Sequence, residues 1–208
     1  MTLFRDIALG VLHKNIESCR MCETPETPLR KPARIMRGTP GKVLLVGLEP
    51  GNTEMTSGKA FSGQAGKSLD KWLQASGQPH YNPRQGIYCT SLNKCGSTDL
   101  KDIDSKFANC RTFLIQQLHM LRPELVITLG EKSYNYFEFT GLAYGDALCK
   151  VFDSRDFLLF GPYGVHLKHL TWPHPSGRNR WLNDVENKAL LTNSFGILST
   201  ILRSSDED

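Results

Sequence analysis

The sequence predicts an α/β fold: a three-layer α/β/α sandwich around a short, mainly parallel sheet. Three observations carry that expectation. Strand-like and helix-like segments alternate along the chain, which is the order that builds a sheet with helices on both faces. The strand candidates are apolar throughout rather than at every second residue, as strands buried on both faces must be. Three strand ends, "GLEPG", "TSLNKC" and "PHPSGRNR", are rich in residues with chemical capability, and ligands of such folds gather at the carboxyl ends of the strands.

The elements follow in order. Residues from Leu3 to about Ser18 have helical periodicity, with Leu3, Ile7, Val11 and Ile16 expected near one face. The prolines, glycines and basic residues of "ETPETPLRKPARIMRGTPG" mark an irregular surface connection. "KVLLVG" reads as a fully buried strand. "AGKSLDKWLQA" reads as a helix burying Leu69, Trp72 and Leu73, stopped by Gly77. "GIYCTSLN" is a second strand, and "SKFANCRTFLIQQLHMLRPE" a long helix ending near Pro123. "LVITLG" is a third buried strand, followed by helical "EKSYNYFEF". "DFLLFG" and "VHLKHLTWP" form a hairpin whose second arm joins the sheet, and a last helix runs from about Trp181 to Arg203. Residues 204–208 form an acidic tail expected to be disordered.

The 208 residues suffice for one domain with a substantial core and are too few for two comfortable ones. A formal charge of +4 permits a polyanionic partner without requiring one. No stretch is long and apolar enough to span a bilayer, and the N-terminus lacks the basic end, apolar run and cleavage site of a secretory leader. The expectation is a cytoplasmic monomer with no membrane partner. In a reducing compartment the close pair Cys19 and Cys22 points to metal or redox chemistry rather than a disulfide.

A glycine-ended strand such as "KVLLVGLEPGNTE" invites comparison with phosphate cradles, and the comparison fails. A Walker loop needs G-x-x-x-x-G-K-[ST] directly after the strand, and "GQAGKS" begins too late. Pro50 breaks the glycine spacing of a dinucleotide fingerprint, and Glu49 at the mouth would repel phosphate oxygens.

Four stretches in order, "VLLVGLEPGNTEMTSGKAFSGQAGKSLDKWLQASG", "IYCTSLNKC", "ANCRTFLIQQLHMLRPELVITLG" and "HPSGRNR", together with the leading "CRMC", resemble the motifs of the uracil-DNA glycosylase superfamily. Family 4, the branch with a four-iron four-sulfur cluster, is the nearest in pattern, and the similarity covers nearly the whole chain from "CRMC" onward. The resemblance implies a monofunctional DNA glycosylase that flips uracil or a related pyrimidine out of DNA and hydrolyses its bond to the sugar. It implies that Cys19, Cys22, Cys95 and Cys110 ligate the cluster, residues 1–41 forming a helix and cluster-binding arm; the spacing by itself admits zinc as well. Cys89 and Cys149 read as core cysteines.

Within that resemblance, Phe61 stacks on the extruded base, and Gly47, Leu48 and Gly51 approach it. His174 points at the pyrimidine O2 and stabilises the charge that develops there. Ser176 and Gly177 pinch the DNA strand, while Arg178 and Arg180 meet phosphates or fill the vacated stack. A carboxylate beside the sugar stabilises its cationic character and directs water. Two departures from the family pattern stand out. Family 4 writes "GEAPG", whereas here Leu48 takes the glutamate's place and Glu49 the next, so Glu49 receives the catalytic role and Glu54 is a second candidate. The asparagine that reads the uracil edge is replaced by Ser91, with Asn93 as a possible substitute on the same strand face. Gly51 stands where some branches carry a tyrosine that blocks 5-methyl groups, so tolerance of 5-substituted pyrimidines is expected. The alternatives are a non-cleaving binder of altered bases on the same fold and an enzyme of modified-pyrimidine DNA metabolism.

Overall fold

In the computed structural model, residues 2–23, 40–76, 86–96, 103–137, 141–154 and 167–203 are described. Five strands form one sheet: β1 (Val43–Gly47), β2 (Ile87–Ser91), β3 (Leu125–Leu129), β4 (Val151–Ser154) and β5 (Leu167–Trp172). Their order is β2-β1-β3-β5-β4, parallel except for the antiparallel edge pair β4–β5. Seven helices accompany it among the described residues: α1 (Thr2–Ser18), α2 (Asn52–Ser57), α3 (Gln64–Ala75), α4 (Ile103–Leu121), α5 (Glu131–Asn135), α6 (Tyr144–Ala147) and α7 (Val185–Arg203). The expected three-layer sandwich is what forms.

The apolar strands split their side chains between two cores. Val43 and Leu45 of β1 point to the face covered by α3 and α7, with Leu69, Leu73, Leu191, Phe195 and Trp172. Leu44 and Val46 point to the opposite face, where Leu114 and Leu118 of α4 and Leu9 of α1 meet them. Alternation by two thus serves both layers, which is why the sequence shows an unbroken apolar run.

Several elements differ from expectation in ways that have physical causes. Helix α1 buries Leu9, Leu12 and Ile16, while Ile7 and Val11 are exposed. The helix has apolar residues on more than one side, and in its observed rotation His13 Nε2 hydrogen-bonds with the Tyr88 hydroxyl at 2.6 Å. The arm that pairs with β5 is β4, just before "DFLLFG"; that stretch and Gly77 lie outside the described residues, as does the acidic tail. Trp181 belongs to a 3₁₀ turn, Arg180–Asn183, and α7 begins only at Val185.

β1 and β3 are neighbours, and from their carboxyl ends the chain leaves in opposite directions, from β1 to β2 on one side and from β3 toward β4 and β5 on the other. The crevice opened by that switch is where an open α/β sheet receives a ligand.

Candidate active site

A pocket of about 160 Å³ opens at this crevice. It is well below the roughly 300–1,000 Å³ that engulfs a drug-sized ligand, a size that suits a single flat ring. The β1 tip contributes Gly47, Leu48, Glu49 and Gly51, and β2 contributes Thr90 and Ser91. Leu129 at the end of β3 and His174 just beyond β5 close the other side. The connection between α2 and α3 adds Phe61, and α2 itself adds Glu54.

Register brings the first two tips together, because Gly47 pairs with Ser91 across the β1–β2 ladder. The Phe61 ring packs against Gly47: a Cβ there would lie 3.4 Å from Phe61 Cζ, in van der Waals contact. Phe61 has a φ of 48°, the left-handed region that a residue with a Cβ adopts only under constraint. Three contacts supply the constraint. Gly66 brings α3 so close that a Cβ would overlap the Phe61 carbonyl. Glu54 Oε1 accepts from the Gly63 N–H at 2.8 Å, and the Ser57 and Ser62 hydroxyls bond at 2.7 Å. The aromatic ring is therefore held over the β1 tip by backbone geometry on both sides.

Leu48 continues the face of Leu44 and Val46 and packs against the α1–α4 core. That explains the displaced glutamate: position 48 is engaged in packing, and the carboxylate stands at Glu49, half-buried in the pocket lining. Glu54 lines the same pocket, but one of its oxygens holds Gly63.

His174 follows β5 in the segment 173–175 between two prolines. Gly130, at a φ of 85°, packs beneath it; a Cβ there would lie 3.1 Å from that of His174. Its Nδ1 accepts from the Ser176 N–H at 3.3 Å. An accepting Nδ1 places the ring proton on Nε2, so the neutral imidazole is a donor through that atom. One side of the ring is open to solvent, and the protein mass around the rest lowers its pKa below 6.5 by disfavouring the charged form. Asn179 latches the segment, donating from Nδ2 to the His174 carbonyl at 3.1 Å and accepting from Trp181 N–H. Gly177, Arg178 and Arg180 are exposed and Ser176 is half-exposed, all on the same loop as His174.

Asn93 is not part of the lining. It is buried, its N–H donates to the Leu48 carbonyl at 2.9 Å, and its carbonyl accepts from the Ser91 hydroxyl at 2.7 Å. Ser91 alone presents its side chain where the expected edge-reader belongs.

Behind β2 lies a polar network that sequence reading did not find. Lys94 is fully buried and donates from Nζ to the Ser91 carbonyl at 2.6 Å, Gln117 Oε1 at 2.8 Å and Thr90 Oγ1 at 2.9 Å. Gln117 Nε2 donates to the Tyr88 hydroxyl, which meets His13 on α1. Burial lowers the Lys94 pKa to about 7, opposed by the neighbouring Cys110. Every donor of the ammonium is used, which is the condition for keeping such a group inside.

The four candidate ligand cysteines share one locality. Burial, then the charges that Cys110, Cys19 and Cys22 would carry, push the Cys95 thiol up to about 12. Cys110 is raised by burial and accepts from the Lys94 N–H at 3.5 Å, while Asn109 Nδ2 donates to Cys22 Sγ at 3.3 Å. Among the described residues no three such groups are spaced tightly enough for a single metal ion. Cys89 and Cys149 are buried with the α3–α7 core, as expected.

The family model of the uracil DNA glycosylase superfamily matches residues 38–195. The chain belongs to that superfamily. It is similar to the type-4 uracil-DNA glycosylase of Archaeoglobus fulgidus, with 28% identity over 143 residues, 65% of this chain and 69% of the relative. The type-4 enzyme of Saccharolobus solfataricus is 28% identical over 130 residues, covering 62% of this chain and 58% of the relative. That of Pyrobaculum aerophilum is 30% identical over 129 residues, covering 59% and 60%. For these last two the match spans less than two thirds of the relative's own length. Among the described residues no helix is long and apolar enough to cross a membrane.

Proposed function

We propose that the protein is a monofunctional DNA glycosylase that hydrolyses the bond between uracil, or a related pyrimidine, and deoxyribose in DNA. The convergence of Glu49, Phe61, Ser91 and His174 on one ring-sized pocket carries the reading. A base inside a duplex cannot reach such a crevice, so the nucleotide is flipped out, at a cost of a few kcal/mol that is least in mismatches and single strands. Phe61 offers a rigid stacking surface, worth about 1–3 kcal/mol to a base. As the glycosidic bond lengthens, the base becomes an anion and the sugar a cation. The neutral imidazole of His174 donates through Nε2 to the base oxygen on which charge gathers, a contribution on the order of 2.7–4 kcal/mol for a prearranged donor. Glu49 stabilises the sugar cation and takes the proton of the attacking water, so that a free base and an abasic site result. Ser176, Gly177, Arg178 and Arg180 sit on the same loop as His174 and are placed to meet the DNA backbone.

Cys19, Cys22, Cys95 and Cys110 are the proposed ligands of a four-iron four-sulfur cluster. What supports the reading is locality: Cys110, Cys19 and Cys22 all lie near enough to Cys95 to influence its charge, and four thiolates are the usual ligand set of such a cluster. Lys94, and Lys106, whose charge favours the thiolate at Cys95, lie beside them and offset an anionic group. The cluster would supply cross-linking of α1 and α4 to the β2 tip. The segment after β2 also touches α2, which carries Glu54, since Gly96 N–H donates to Met55 Sδ at 3.4 Å.

The test is incubation with uracil-containing DNA followed by alkali, which reveals abasic sites. The parent generates them; Glu49→Gln and His174→Ala each slow their formation by about 10²–10³-fold. Unchanged rates in both variants would remove the assigned roles.

A further inference from the structure

Lys94 places a positive charge behind the β2 wall of the pocket, and no step assigned to Glu49, Phe61 or His174 uses it. Its main-chain N–H donates to Cys110 Sγ at 3.5 Å, and from there the buried side chain carries its charged end to the wall. Nζ donates to the Ser91 carbonyl at 2.6 Å, to Gln117 Oε1 at 2.8 Å and to Thr90 Oγ1 at 2.9 Å. The Thr90 hydroxyl directs its one proton to Gln117 Oε1 at 3.0 Å, so toward Lys94 it accepts. Three acceptors require three N–H donors, which an ammonium has and an amine lacks. All three acceptors are uncharged, so they hold the charge without cancelling it. Two of them belong to Thr90 and Ser91, which line the pocket. The ammonium therefore stands one residue behind the surface a base would touch, away from bulk water, where a charge acts strongly on its surroundings.

We infer that Lys94 is a positioning residue for base release: its ammonium fixes the β2 wall and gives that wall a positive potential that favours the departing base anion. The inference rests on the base-releasing role of this pocket. The electron pair of the glycosidic bond leaves with the base, so negative charge grows on the ring while the sugar becomes positive. His174 meets that charge by direct donation from one side of the pocket. Lys94 acts from the other side, through Thr90 and Ser91 and without touching the base. Being held by three hydrogen bonds before the reaction starts, it needs no reorganisation as the charge develops. Gln117 sets the strength of the effect, because a neutral amide there satisfies the ammonium and leaves its field intact.

The test measures single-turnover release of uracil and of 5-fluorouracil from single-stranded oligonucleotides by the parent, Lys94→Met and Gln117→Glu. Fluorine withdraws electrons, so the 5-fluorouracil anion is intrinsically more stable and depends less on help from the wall. Lys94→Met removes the charge and keeps an apolar stem. Gln117→Glu keeps the lysine and an oxygen that accepts from it, and sets a carboxylate against the ammonium to cancel its field. Both variants are expected to slow uracil about tenfold or more and 5-fluorouracil clearly less, with binding of uracil-containing DNA, followed by fluorescence anisotropy, little changed. A role confined to holding the fold would slow both bases alike. That result in Gln117→Glu, or uracil release as fast as the parent's, would overturn the inference. Thermal melting shows whether Lys94→Met folds; where it does not, Gln117→Glu decides alone. Release of neither base by the parent would overturn the glycosylase reading and this inference together, whereas release by the parent with equal slowing in Gln117→Glu overturns the inference alone.

Discussion

Two carboxylates line the pocket, and replacing Glu54 separates a latch from a chemical group. In the structure Glu54 Oε1 accepts from the Gly63 N–H at 2.8 Å, tying α2 to the start of α3 and so bracketing Phe61. Glu54→Ala deletes the acceptor. A hydrogen bond to a charged group contributes about 1.5–3 kcal/mol, and each 1.4 kcal/mol is tenfold. Loss of this tie loosens the segment that carries Phe61, so the loop's ordered population, and with it the rate of uracil release, falls about ten- to a hundredfold. Glu54→Gln keeps a carbonyl oxygen at the same reach and loses only the charge, so it recovers at least half of that loss on a logarithmic scale. The assay is single-turnover uracil release from a single-stranded oligonucleotide, with thermal melting to confirm that both variants fold alike. If Glu54→Gln is as slow as Glu54→Ala while Glu49→Gln is fast, the negative charge is needed at position 54. Glu54 then directs the water, and the assignment to Glu49 is wrong.

Three further outcomes follow from the same geometry. Gly130→Ala places a methyl 3.1 Å from His174 Cβ at a φ of 85°; the displaced imidazole slows release about tenfold or more, with binding of uracil-containing DNA, followed by fluorescence anisotropy, little changed. His174 has its pKa lowered by burial and is active when neutral. Activity is therefore held from neutral pH down through 6.5 and is lost only on further acidification, when a proton on Nδ1 displaces the Ser176 N–H; a pH–rate profile falling already above 6.5 contradicts this. Purified protein contains iron and acid-labile sulfide in equal amounts; Cys95→Ala and Cys110→Ala lose both, whereas Cys149→Ala, in the α3–α7 core, retains them.

Local pattern made much of this molecule legible. β1, β2 and β3 announce themselves as apolar runs because each side chain meets one of two cores, and α3 places Leu69 and Leu73 at the expected spacing. Glu49, Ser91 and His174 stand out as chemically capable residues at strand ends, but their roles, and that of Phe61, are named only by the family resemblance. What escaped was non-local. In the observed rotation of α1 His13 meets Tyr88, 75 residues away, and apolar residues on several sides of the helix give no means of choosing it. Lys94 looks like any surface lysine until β2 and α4 enclose it with Thr90, Ser91 and Gln117. Asn93 shares a strand face with Ser91 in an ideal strand, but β2 ends at Ser91 and the turn that follows directs it to Leu48. The latch role of Glu54 required knowing where the Gly63 N–H points.

Base release by this pocket requires that residues from three strand ends hold a single nucleotide together. A crystal structure of Glu49→Gln bound to DNA with an extruded uracil measures this directly. It is predicted to show the ring against Phe61, O2 within hydrogen-bond distance of His174 Nε2, N3 facing Ser91 Oγ and the substituted residue 49 beside the sugar. A uracil bound away from the pocket, or one that touches Phe61 while His174 and residue 49 face solvent, would contradict it.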